Sequence, residues 1–133
     1  MCITKLLKKF QTYKYVKIKI NDRIINVRVA DTIIKKMLGL MYEKKMNNNE
    51  GMLFIFENET YAPIWMRNML FPIDVLWLDK NMNVVEKKEN LKPAKLFEFK
   101  TYGGKAKAKY IIELPSGLLK NLKEKRIKKI KVL

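Results

Sequence analysis

The stretch "IDVLWLDKNMNVVEKKE", Ile73–Glu89, decides the fold. Ile73, Val75 and Trp77 fall on one face and Asp74, Leu76 and Leu78 on the other, the period of two that marks a strand. Lys80-Asn81-Met82 interrupts the pattern, and "NVVEKKE" continues it, so the stretch reads as a β-hairpin. Asp74 then has apolar neighbours on its own face. A lone buried charge is costly, so this carboxylate needs a cation or a set of donors. Arg67 is the nearest arginine in sequence and Asn68 offers amide donors. The expectation is that the loop "NMLFPI" folds back and brings both to Asp74.

Outward from this hairpin the chain is rich in strands. "YKYVKIKI" and "RIINVRVA" alternate about Asn21-Asp22, which suits a tight turn, and predict a hairpin of Tyr13–Ile20 with Arg23–Ala30. "ADTIIKKMLGL" changes period: Asp31 or Thr32 can cap a short helix with Ile33, Ile34, Met37 and Leu38 as its apolar stripe, and Gly39 ends it. "GMLFIFEN", "YAPIWMRN" and "KAKYIIELP" read as further strands, with Pro63 placing one start at an edge or bulge, and "AKLFEFK" as a strand or an ordered loop. "SGLLKNLKEK" predicts a second short helix capped by Ser116, and "RIKKIKVL" a last strand. With no repeat or linker, the chain is expected to be one domain over 1–133, its core at about 13–133 and residues 1–12 a basic, partly mobile arm. Short connections favour antiparallel neighbours. The fold class is mainly β, an antiparallel sandwich or barrel with two short helices.

Composition narrows the chemistry. The 133 residues include no histidine and one cysteine, Cys2, which removes histidine triads, Cys/His pairs, disulfides and structural zinc. The aspartates are Asp22, Asp31, Asp74 and Asp79, and none lies in a calcium-loop pattern. No metal or cofactor is expected. A net charge of +16 favours weak, non-specific attraction to polyanions. Lysine supplies nearly all of it, and Arg23, Arg28, Arg67 and Arg126 are the only arginines, few for a dedicated nucleic-acid reader. No apolar run is long enough to span a bilayer, and "MCITKLLKKFQTYKYVKIKI" lacks the apolar core of a signal peptide, so a cytoplasmic, soluble protein is expected.

Four words in order carry a resemblance: "GLM" (Gly39–Met41), "EGMLF" (Glu50–Phe54), "WMRN" with "PIDV" (Trp65–Asn68, Pro72–Val75), and "AKYIIELPSG" (Ala108–Gly117). Together they resemble the signature of domain-of-unknown-function family 192, from about Val27 onward. The resemblance implies a compact, mainly β sandwich of jelly-roll type and brings no catalytic assignment, since the family's biochemical activity is not established. Many relatives carry signal peptides and some have cysteines near the position of Pro93, where this chain reads "LKPAKLFEFK". Arg67 stands where relatives often have lysine.

Trp65, Arg67, Asn68, Asp74 and Glu113 are the candidate ligand-binding residues. One reading makes Arg67, Asn68 and Asp74 a buried polar network that ties strands together. The other makes them a cleft floored by Trp65 and Trp77 that takes a small polar or anionic ligand, and this binding module is the leading functional expectation. Asp74 with Glu113, a strand carboxylate of the same kind, supplies a second one, a carboxylate-based hydrolase-like enzyme. Lysine-driven polyanion binding is the third. Met41, Met52, Met66 and Met69 are expected to fill core.

Overall fold

The computed structural model describes residues 2–124, 126–127 and 130–133. Helix α1 (Ile3–Lys9) precedes the hairpin β1 (Tyr15–Ile20) and β2 (Arg23–Ala30), then α2 (Ile33–Leu38). Next come β3 (Glu50–Thr60), the two-residue β4 (Ile64–Trp65), and the hairpin β5 (Ile73–Leu78) and β6 (Val84–Leu91). The chain ends with β7 (Thr101–Tyr102), β8 (Ala108–Pro115) and β9 (Ile130–Val132). Seven strands form one curled sheet in the order β6-β5-β8-β3-β2-β1-β9, and β4 pairs with β7 in a separate ribbon.

The sheet is mixed, which corrects the expectation of antiparallel pairing throughout. β2 and β3 run parallel, with Val27 opposite Gly51 and Ala30 opposite Phe54. A parallel pair needs a crossover of a dozen or more residues, and the segment 31–49 with α2 supplies it. Local strand periodicity carries no information on this point, because it fixes faces and not neighbours.

Strand β5 is buried at all six positions. Its alternation feeds two separate cores. Leu76 and Leu78 join Ile18, Ile25, Leu53 and Ile112 on one face of the sheet. Ile73, Val75 and Trp77 join Met52, Phe54, Met66 and Ile111 on the other. Each fully buried side chain of this size contributes on the order of 1.5–3 kcal/mol. Met41, Met52, Met66 and Met69 are all buried, the core-filling role expected of them. Lysines stud the edge strands, with Lys87 and Lys88 on β6 and Lys131 on β9, which discourages pairing between copies.

Several elements differ from expectation. Of the expected helix "SGLLKNLKEK", residues 116–121 form successive turns and not a helix, and Lys125 lies outside the described residues. Leu118 N–H bonds to the Pro115 carbonyl at 3.2 Å and Leu122 N–H to that of Leu119 at 3.3 Å, a spacing too tight for an α-helix. Of the two readings of "AKLFEFK", the loop is the one found: it holds a turn at 95–98, and the strand beyond it is only Thr101–Tyr102. Residues 1–12, read as a basic arm, contain α1. Of the two cap candidates, Thr32 is the one that caps α2: its hydroxyl accepts the Lys35 N–H at 3.1 Å. Its apolar stripe is mostly outside: Ile33, Ile34 and Met37 are exposed and only Leu38 is buried. The last expected strand is β9 for its Ile130–Val132 part, while Lys128 and Lys129 lie outside the described residues.

Candidate functional site

Asp74 and Glu113 are the buried charged residues among those described, and their surroundings are opposite in kind. Asp74 is satisfied by backbone. Its Oδ1 accepts the Asn90 N–H at 2.9 Å, and its Oδ2 accepts the N–H groups of Gly117 and Leu119, each at 3.1 Å. The β5–β6 ladder shifts register between Ile73 and Val75, and Asn90 takes a positive φ of 52°, which aims its amide at the carboxylate. Ser116, read as a helix cap, donates instead to the Asn90 side-chain oxygen at 2.9 Å. Asp74 thus caps the turns that follow β8. The expected partnership with Arg67 and Asn68 is corrected: three amides distant in sequence replace them.

Asp74 and Glu113 also lie on opposite faces of the sheet. Asp74 stands opposite Leu114, and Glu113 opposite Val75. Side chains alternate along both strands, so Asp74 shares the face of Leu76 and Leu78, while Glu113 shares that of Val75 and Ile111. The register of one ladder therefore removes the geometry of an acid/base pair between these two carboxylates.

On the Glu113 face, β3, β8, α2 and the segment 60–69 enclose a cavity of about 570 Å³. Phe54, Phe56, Ile111 and Met69 make its wall largely apolar. Glu113 lines it, and among the described residues no group hydrogen-bonds its carboxyl. Burial is the main cause that raises its pKa, to about 8; Lys8 pulls it down and Glu43 pushes it up. At neutral pH the acid is mostly protonated. Gly39 lies against it: a Cβ there would sit 3.3 Å from the Phe54 ring and 3.9 Å from Glu113 Oε1.

Trp65, Arg67 and Met69 all line this cavity, which agrees with their alternation although the regular strand ends at Trp65. The Arg67 guanidinium is stacked between two rings, 4.9 Å from the Trp65 centroid and 4.7 Å from that of Phe99. Trp65 is 42% exposed and Glu113 only 6%, so the tryptophan marks the open end and the acid the deep end. Asn68 is exposed at a positive φ of 60°, with its amide 3.8 Å from the Met41 sulfur, and does not line the cavity. Trp77 is not a floor either. It is fully buried in the core, and its Nε1 donates to the Ala62 carbonyl at 2.9 Å.

Two features escaped the sequence reading. Phe99 completes the stack on Arg67, and the "LFEFK" word could have suggested it only if its contact across the fold were known. The second is an ionic network behind the cavity. Glu43 pairs with Arg28 at 2.6 Å and with Lys8 at 2.8 Å, and Lys8 also donates to the Gly39 carbonyl. Lys8, Arg28 and Lys35 surround the Tyr13 ring at 5.8, 5.4 and 5.5 Å. Burial lowers the pKa of Lys8 against the opposing pull of Glu43.

The DUF192 family model, described as Uncharacterized ACR, matches residues 16–132. The chain belongs to this family. A relative in Thermococcus kodakarensis, UPF0127 protein TK1120, is 42% identical over 98 residues, covering 72% of this chain and 57% of the relative. UPF0127 protein PH1112 of Pyrococcus horikoshii is 42% identical over 107 residues, covering 79% of this chain and 85% of its own length. This DUF192 chain thus spans little more than half of the first of these relatives. Two crystal structures share its fold. One, R01717 of Sinorhizobium meliloti 1021, carries the provisional description of a transcription regulator. It has a TM-score of 0.83 at 22% identity, covering 92% of this chain and 96% of that one. The other, a protein of unknown function from Novosphingobium aromaticivorans DSM 12444, has a TM-score of 0.77 at 21% identity, with coverage of 90% and 84%. Among the described residues no helix is long and apolar enough to cross a membrane, and no group of three acidic, histidine or cysteine side chains could hold a metal ion.

Proposed function

We propose that this DUF192 chain is a small-ligand-binding module whose site is the cavity between Trp65 and Glu113. One observation carries the reading: a buried carboxyl that no described residue hydrogen-bonds lines an apolar cavity of about 570 Å³. Asp74, by contrast, is satisfied by three backbone amides, and a perturbed acid in a cleft is a frequent mark of function. The size is that of sites for small organic molecules, and the mixture of apolar wall with few polar groups is their usual chemistry. Of the residues first singled out, Trp65, Arg67 and Glu113 belong to the proposed site. Asp74 supports the fold from the other face.

The test is a small-molecule screen read by Trp65 emission. A W65F variant, in which buried Trp77 is the remaining indole, separates the two signals. A ligand should change the emission of the native protein, and E113Q should weaken that ligand's binding while the variant stays folded, with a melting temperature at pH 7 no lower than that of the native protein. If every responsive compound binds E113Q as well as the native protein, the cavity is not the site.

A further inference from the structure

Three cationic or anionic side chains line the cavity, and two of them have charged ends that nothing in the described chain engages by ion pair or hydrogen bond. Lys36 is occupied: its Nζ donates to the Ile55 carbonyl at 3.0 Å and lies 4.7 Å from the centre of the Phe56 ring. Arg67 is held only by its two ring faces, which leaves the edge of the guanidinium and its N–H donors free. Stacking fixes such a fork in place, and a fixed planar fork is suited to a carboxylate. Glu113, deeper and of opposite sign when ionised, is equally unengaged. Between them the wall is aromatic and aliphatic.

We propose that the ligand of this cavity is amphoteric, a small molecule with an amine that meets Glu113 at the deep end and a carboxylate that meets Arg67 at the open end. The inference rests on the binding-module reading and adds the ligand class to it. Each free group of the wall finds its complement, and the apolar body of the ligand covers Phe54, Ile111 and Met69. A purely anionic ligand would accept the O–H of the protonated Glu113 and release no proton, which the buffer comparison with hexanoate separates, and a purely cationic one would approach past Arg67.

Binding of the amine has a proton consequence. Glu113 is held mostly neutral by burial and by Glu43, against the pull of Lys8, with Lys36 and Arg67 the other charges on the cavity wall. An ammonium group pairs with the carboxylate form. The Glu113 O–H bond therefore breaks on binding, its proton goes to the solvent, and the ligand keeps its own.

The experiment is calorimetric titration at pH 7 with ω-amino acids from 4-aminobutanoate to 8-aminooctanoate, beside hexylamine, hexanoate and hexan-1-ol. It is run in two buffers of different ionisation enthalpy on the native protein, R67Q and E113Q. The best amino acid should bind the native protein at least about tenfold more tightly than any single-ended probe. Its heat should differ between buffers, because a proton is released. R67Q should reduce its affinity to that of hexylamine, and E113Q should abolish the buffer dependence. Should R67Q fail to fold, R67K takes its place, which keeps the charge and loses the fork. If hexan-1-ol or hexanoate binds as tightly as the amino acids, the amphoteric assignment is overturned while the cavity remains a binding site. If no probe binds and Trp65 answers no compound in the wider screen, both readings fall.

Discussion

At the scale of single residues, two buried acids divide structure from chemistry. Asp74 closes three backbone amides, so D74A should leave the N–H groups of Asn90, Gly117 and Leu119 without an acceptor. The expected loss is about 3 kcal/mol or more, measured by denaturant unfolding, since each buried donor left unpaired costs about 1–3 kcal/mol. Glu113 has the opposite signature. Its folded pKa is raised to about 8, so between its ordinary value and 8 the folded protein holds a proton that the unfolded chain releases. Its contribution to stability is complete below about pH 4.5 and is lost as the pH rises to about 8. The slope should be on the order of 1.4 kcal/mol per pH unit, and E113Q should flatten it. A native protein and E113Q with the same pH profile would show that the acid does not carry this proton. That Asp74 needed partners was legible from its apolar neighbours. Which partners it found was not, because they come from residues 16, 43 and 45 positions away.

At the scale of elements, parity along strands was readable and pairing was not. The faces of β5 follow directly from the alternation in "IDVLWL". The placement of Asp74 and Glu113 on opposite faces depends on the β5–β8 register, a contact between distant segments. A slip of one residue would have put both on one face. The ribbon of β4 and β7 shows the same limit. The two glycines that follow β7 serve close packing: a Cβ on Gly103 would sit 2.2 Å from the Trp77 ring. Gly103 also has a φ of 69°, which disfavours any side chain. G103A should therefore cost at least about 2 kcal/mol and disturb the environment of Trp77, visible as a changed near-ultraviolet dichroism. Unaltered dichroism and stability would mean that the ribbon does not press on the core as described. The helix expected in "SGLLKNLKEK" gives way to turns at 116–121 for a related reason. Its apolar spacing was genuine, but Asp74 draws the Gly117 and Leu119 amides across the chain into turns.

At the scale of the whole molecule, the N-terminal helix reaches the site electrostatically. Lys8 on α1 meets Glu43 and favours the ionised form of Glu113. K8M should therefore raise the Glu113 pKa further, so that the pH-dependent loss of stability extends to higher pH than in the native protein. An unshifted profile would place Lys8 too far away to matter. The net charge of +16 acts on a longer range. Any association with duplex DNA should weaken steeply as salt is raised from 50 to 200 mM, as counterion release requires; salt-independent binding would exclude a lysine-driven mechanism.

The sequence by itself determined the strand-rich class, the two faces of β5, a helix cap at Asp31 or Thr32, the methionine core and the family. It did so because these follow from local period, local capping and ordered words along the chain. Only the tertiary structure decided that β2 and β3 run parallel, that Asp74 is closed by backbone amides, and that Arg67 and Glu113 share a cavity. Each of these depends on which distant segments become neighbours. That choice is made by the burial of whole faces against one another, and no short stretch of the chain records it.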